Sequence, residues 1–99
     1  MFSGGSYSEV ARWLRVFLNS HAKREHPRVE AMVDTSGDHE NKSYGTRLRL
    51  GDQVSAEVEF AFKDLADHRG GMAWCQALAD ATRARVRELH PGAPTTGRR

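Results

Sequence analysis

Five histidines, one cysteine and a few closely spaced carboxylates are the side chains of this sequence suited to metal binding, acid–base work or nucleophilic attack. His21 and His26 stand five residues apart near the end of a helical stretch, whereas two imidazoles that share an ion from one helix stand four apart. They are expected to be surface groups. His39 lies between Asp38 and Glu40 in a polar loop. Imidazole and oxygen ligands are both available there, but neighbours in a loop rarely converge unaided, and no metal ligand set is assigned. Cys75 sits among Met72, Leu78 and Ala79 at helical spacing, which predicts a buried structural thiol. Glu57 and Glu59 share one strand face and are expected to pair with Arg47 and Arg49. Gly70-Gly71, preceded by His68 and Arg69, has the makings of an anion-binding helix start, but the simpler reading is that the glycines shape a turn. No serine stands in a nucleophile-elbow context and no glycine-rich phosphate loop is present. The residues point to a non-enzymatic protein with no cofactor.

The elements that must carry these residues are marked by periodicity. Ser6 precedes Glu9 by three positions, the spacing of a capping box. Val10, Leu14, Phe17, Leu18 and His21 follow at helical spacing, with Trp13 beside them, so a helix is predicted from Tyr7 to about Lys23. Pro27 sets its latest end. Val29, Ala31 and Val33 alternate with Glu30, Met32 and Asp34 as a first strand. After the polar stretch Thr35–Ser43, the residues Tyr44, Thr46, Leu48 and Leu50 define a second strand with Arg47 and Arg49 on its other face. Val54 to Phe62 alternates apolar and mostly charged residues as a third strand. For Leu50 and Val54 to share the core face, the hairpin needs an odd loop, simplest as Gly51-Asp52-Gln53, or an adjacent bulge. That register sets Arg47 opposite Glu57, with Glu30 and Asp34 flanking the arginines from the first strand. A helical turn is allowed at Asp64–Ala66. Gly70-Gly71 precedes a second long helix that runs to about Leu89, with Met72, Cys75, Leu78, Ala79, Thr82, Val86 and Leu89 on one face and Trp74 at its border.

The expected fold is α+β, in the order α-β-β-β-α: a three-stranded antiparallel meander sheet with two helices packed on one face. Residues 6–90 form this single domain, residues 1–5 are expected to be flexible, and residues 91–99 are expected to be a disordered tail. The 99 residues are 38% hydrophobic and 28% charged, ordinary for a soluble domain. No apolar run approaches the roughly 20 residues of a membrane span, and no secretory leader is evident. The lone Cys75 fits a reducing compartment, so a cytoplasmic location is expected. The formal charge of +2 comes from the terminal Arg98 and Arg99; without them residues 1–97 carry 13 basic and 13 acidic groups. Residues 29–68 hold nine acidic and four basic groups, and residues 1–28 hold two and five. A dedicated nucleic-acid binder shows a clearer basic excess.

The element order nevertheless resembles that of the double-stranded-RNA-binding domain, over Ser6 to Leu89. Gly37-Asp38-His39 is similar to the glycine-and-histidine loop that the family places in a minor groove, and Tyr44 to the aromatic residue after it. The family's lysine cluster is replaced here by Gly70-Gly71-Met72-Ala73-Trp74-Cys75-Gln76, and the loop is acidic at Asp38 and Glu40. The resemblance implies nucleic-acid binding through Arg12, Arg15, Lys23, His39 and Arg69.

Three functions follow as expectations. A small interaction module with a protein partner is first, using the edge of the third strand and the rims near Trp13 and Trp74. Open sheet edges also allow a homodimer. Duplex RNA or another nucleic acid is the alternative partner. A small-ligand protein or enzyme would be built around His39 or His68. No membrane partner is expected.

Overall fold

The computed structural model describes residues 6–89. The expected flexible start and disordered tail fall outside the described residues. Ser6 begins the first helix, α1 (Tyr7–Glu25), with the capping box expected of it. The Glu9 N–H donates to Ser6 Oγ at 3.2 Å, and the Ser6 N–H donates to Glu9 Oε1 at 3.0 Å. Val10, Leu14, Leu18 and Ala22 recur every fourth residue and are all buried. Phe17 and His21 flank that stripe, half-buried and in ring contact at 4.4 Å.

Four strands follow: β1 (Glu30–Asp34), β2 (Ser43–Leu50), β3 (Gln53–Val54) and β4 (Val58–Ala61). β2 is central, antiparallel to β1 on one side and to both β3 and β4 on the other. The long β1–β2 connection contains a 3₁₀ turn at Gly37–His39. Tyr44, Thr46 and Leu48 of β2, with Ala31 of β1, point into the core. Arg47 and Arg49 point out. After β4 the chain turns into α2 (Phe62–His68) and then the long α3 (Met72–Leu89), whose buried residues are Leu78, Ala79, Thr82, Val86 and Leu89. The core is the slab between the sheet and α1, α2 and α3. The fold class is the expected one.

The third strand departs from its reading as one run from Val54 to Phe62. The hairpin closes on the two residues Gly51 and Asp52, with Leu50 opposite Gln53 and Arg49 opposite Val54. That shorter turn rotates Val54 onto the outer face, where it is 48% exposed. One extra residue between β3 and β4 restores the expected register, with Thr46 opposite Val58 and Tyr44 opposite Phe60. Ser55 makes the bulge tolerable. Its N–H donates to the Leu48 carbonyl at 2.8 Å, and its hydroxyl oxygen accepts the Leu48 N–H at 2.9 Å. Phe62 caps this line as the first residue of α2 rather than its last strand residue. The turn expected at Asp64–Ala66 is thus a full short helix.

Met72 also departs from the expected core face of α3, at 88% exposure. Cys75 is half-buried, and its thiol donates to the Arg69 carbonyl at 3.3 Å. Arg83 and Arg87, one helical turn apart, both reach Glu25 at the end of α1, at 3.2 and 3.6 Å. Among the described residues, no helix is long and apolar enough to cross a membrane.

Candidate functional site

A network of polar side chains gathers on the outer face of the sheet above Gly45. His39 closes the 3₁₀ turn and folds its ring back onto β2. Its Nδ1 lies 2.9 Å from Ser43 Oγ and 3.3 Å from Glu59 Oε2. Its Nε2 lies 3.2 Å from Glu57 Oε2. The Ser43 hydroxyl donates to Glu59 Oε2 at 2.7 Å. Asp34, at the end of β1, completes the group: one ligand atom each from Asp34, His39 and Glu57 lie within 4.8 Å of one another.

The backbone explains why these groups meet. Asp34, Gly45 and Glu59 are aligned across three strands by the sheet register. A Cβ at residue 45 would overlap the Glu57 carboxylate and come within 2.7 Å of His39 Nε2, so the glycine is the floor on which the two side chains converge. The loop carrying His39 is held from the opposite layer. Tyr7 stacks on Tyr44 with centroids 4.6 Å apart, and its hydroxyl lies 2.6 Å from the Ser43 carbonyl and 2.9 Å from that of His39. Burial, with Glu40 and Asp34 nearby, raises the Tyr7 phenol above its ordinary pKa, which keeps it a donor. The Asp34 carboxyl is held below the usual carboxylate range by hydrogen bonds from the Ser36 hydroxyl and N–H, helped by His39 and Arg47. An open depression of about 360 Å³ beside the cluster is lined by Met32, Val33, Asp34, Gly45, Arg47 and Glu57.

Glu57 therefore turns to His39, away from the arginine it was expected to meet, while Arg49 pairs with Glu30 at 2.7 Å as expected. No ligand set was legible in the sequence here, because Asp34 and Glu57 are distant in the chain. The usable signal was Gly45, a glycine inside a strand, which marks close approach by other groups.

The other candidate residues disperse. Arg12 and Arg15 line a cleft of about 220 Å³ between α1 and the β1–loop junction, with Tyr7, Ser8, Val33 and Thr35. Lys23 is committed to the chain itself, donating to the Val29 carbonyl at 2.7 Å. The Arg69 guanidinium lies 5.9 Å from the Trp13 ring centroid, and Trp13 packs on Phe17 at 5.0 Å. Trp74 stacks on His68 at 5.7 Å. The two tryptophans thus contact consecutive residues at the α2–α3 joint. His68 is exposed there and belongs to no cluster with His39.

The two sheet edges differ. On β1, Asn19 of α1 brackets Ala31, accepting its N–H at 2.9 Å and donating to its carbonyl at 3.4 Å, while Lys23 takes the Val29 carbonyl. On β4, residues 58 and 60 face β2, so the backbone groups of Glu57 and Glu59 and the N–H of Ala61 face outward, while the Ala61 carbonyl opens α2 as its N-cap. Among the described residues, no side chain bonds them. A groove of about 280 Å³ runs beside this edge, lined by Ser55, Ala56, Val58, Arg85, Glu88 and Leu89. Comparison of the chain with known protein families, with curated proteins and with solved structures found no match.

Proposed function

We propose that the chain is a non-enzymatic, cytoplasmic interaction module that binds an extended, basic segment of a partner protein by strand addition to β4. The observation carrying this reading is the contrast between the edges. Side chains of α1 block β1 against further pairing, as soluble proteins commonly do, while the outward N–H and C=O groups of Glu57 and Glu59 and the Ala61 N–H have no side-chain partner among the described residues. Charge supports a basic partner. Glu57 and Glu59 flank the edge, within a stretch of nine acidic and four basic residues. A second copy of this chain fits less well, because antiparallel self-pairing centred on Glu59 sets like charges opposite each other. Alternate side chains of an added strand would enter the groove between β4 and α3.

The test is selection of peptides from a displayed random library on the full chain, with amide hydrogen exchange to locate them. Selected peptides should alternate basic and β-branched residues and should protect Glu57, Glu59 and Ala61. Ala61→Pro should abolish binding without unfolding the domain. Its φ of −71° already suits proline, and its N–H faces away from β2. Peptides that map to the Trp13 and Trp74 rims, or dimerisation that A61P leaves intact, would refute strand addition at this edge.

A second reading, duplex RNA binding, has one observation in its favour: Arg12 and Arg15 share a cleft with the start of the Thr35–Lys42 loop. Amide shifts at α1, that loop and the start of α3 on titration with a short RNA duplex, lost as salt rises, would support it.

A further inference from the structure

We infer that the Asp34–His39–Glu57 cluster is a binding site for an exchangeable divalent transition-metal ion of the zinc or manganese type. The argument begins with where protons can stand. The Ser43 hydroxyl gives its single hydrogen to Glu59 Oε2 at 2.7 Å. Ser43 Oγ therefore faces His39 as an acceptor, and the hydrogen between them belongs to His39 Nδ1. Glu59 Oε2, 3.3 Å from the same nitrogen, reinforces that assignment. A ring carrying its proton at Nδ1 alone presents a lone pair at Nε2, and that nitrogen lies 3.2 Å from the Glu57 carboxylate. Two acceptors at this distance need a cation between them, either a second proton on the ring or a metal ion.

Three features favour the metal. First, the third donor is already present: Asp34 brings a carboxylate oxygen within 4.8 Å of both other ligand atoms. A tetrahedral ion with bonds of about 2.0–2.2 Å sets ligands roughly 3.3–3.6 Å apart, so modest rotation of two exposed carboxylates completes the cage. Second, the outer partners are those of a metal-bound histidine. The nitrogen turned away from the ion is hydrogen-bonded to a hydroxyl and a carboxylate, which fixes the tautomer and the ring plane. Third, room is reserved by Gly45, the position where any side chain would displace Glu57 and His39.

One imidazole with two carboxylates is a borderline set. It suits Zn²⁺ or Mn²⁺ over Ca²⁺ or Mg²⁺, which favour oxygen alone. Arg47 borders the same depression and opposes the ion's charge, which makes the site exchangeable rather than permanent. The inference rests on the outer face of the sheet and does not require strand addition at the β4 edge, although Glu57 belongs to both.

The experiment titrates the full chain, stripped with chelator, with Zn²⁺ alone and follows the imidazole ¹⁵N shifts alongside calorimetry. One equivalent should move His39 Nε2 before any other histidine nitrogen, and Mg²⁺ should leave it unmoved. Asp34→Asn should weaken Zn²⁺ binding by about tenfold or more, since even outer partners of a ligand cost that much. Gly45→Ala should do the same while its amide spectrum stays that of a folded domain, because the atoms its Cβ meets are the ends of long side chains. Failure to saturate by millimolar Zn²⁺, first movement at His21, His26 or His68, or D34N and G45A binding as wild type would each overturn the assignment. A His39 ring that keeps protons on both nitrogens throughout the Zn²⁺ titration would show that a proton is the only cation there, and would overturn it equally.

Discussion

Arg85 on α3 donates to Ser55 Oγ at 2.9 Å and to the neighbouring Ala56 carbonyl at 3.1 Å, so a helix side chain holds the break in the third strand. Partial burial lowers the pKa of the Arg85 guanidinium from its ordinary value. Ser55 Oγ also takes the Leu48 N–H at 2.9 Å, so a single oxygen satisfies a strand and a helix together.

Ser55→Ala should therefore cost more than a surface serine ordinarily does. It leaves the Leu48 N–H and one Arg85 donor without their acceptor, and a loss of about 1–3 kcal/mol is expected in urea unfolding. Combined with Arg85→Met, the double-mutant cycle should show a coupling of about 0.5–3 kcal/mol. Additive losses would mean that the bulge does not depend on α3.

Asn19→Ala should expose the β1 edge. The Ala31 N–H and C=O lose their partner, at about 1 kcal/mol in stability. The larger effect should be self-association, seen by light scattering at concentrations where the parent chain is unaffected. Asn19→Asp keeps an acceptor for the Ala31 N–H and should lie between the two.

Tyr7→Phe preserves the stacking with Tyr44 and removes only the hydroxyl that ties the loop to α1. Stability should fall by about 1 kcal/mol. Amide exchange should quicken over the loop preceding β2, with β1 unchanged.

His21 sets a pH dependence. Burial depresses its pKa below the ordinary value, aided by Arg24 on its own helix and Arg83 on α3, while Asp80 acts weakly in the other direction. The unfolded chain thus takes up the proton first. Stability from this residue is fully present above the unfolded pKa of about 6.5 and declines as pH falls from there through the folded value. His21→Gln should remove that part of the decline in unfolding midpoints measured between pH 7 and 5. Asp34, also depressed, loses its contribution only in the carboxylate range below that window, so the two are separable.

The elements themselves were legible because each is written in local pattern. The capping box at Ser6 and Glu9, the helical spacing of Val10, Leu14 and Leu18, and the alternation from Tyr44 to Leu50 all have one physical reading. Val54 was misplaced because alternation fixes faces only up to a one-residue slip. Turn length decides the slip, and Gly51, with φ of +63°, suits the tighter turn. Met72 was misplaced as well: it opens α3 at 88% exposure, while Trp74 of the same turn packs against the core. The cluster above Gly45 was not legible, because its carboxylates are brought to His39 by strand register and by a missing Cβ. Both are properties of the assembled sheet.

Trp13 and Trp74 rest against Arg69 and His68, at one corner of the molecule. Intrinsic emission is consequently a one-corner spectroscopic reporter. It will register the docking of α1 against the α2–α3 joint and stay silent about the hairpin and the outer face of the sheet. An unfolding curve recorded by fluorescence and another recorded on the β2–β4 amides will coincide only if the helical layer and the sheet melt together, so comparing them measures the cooperativity of this two-layer fold.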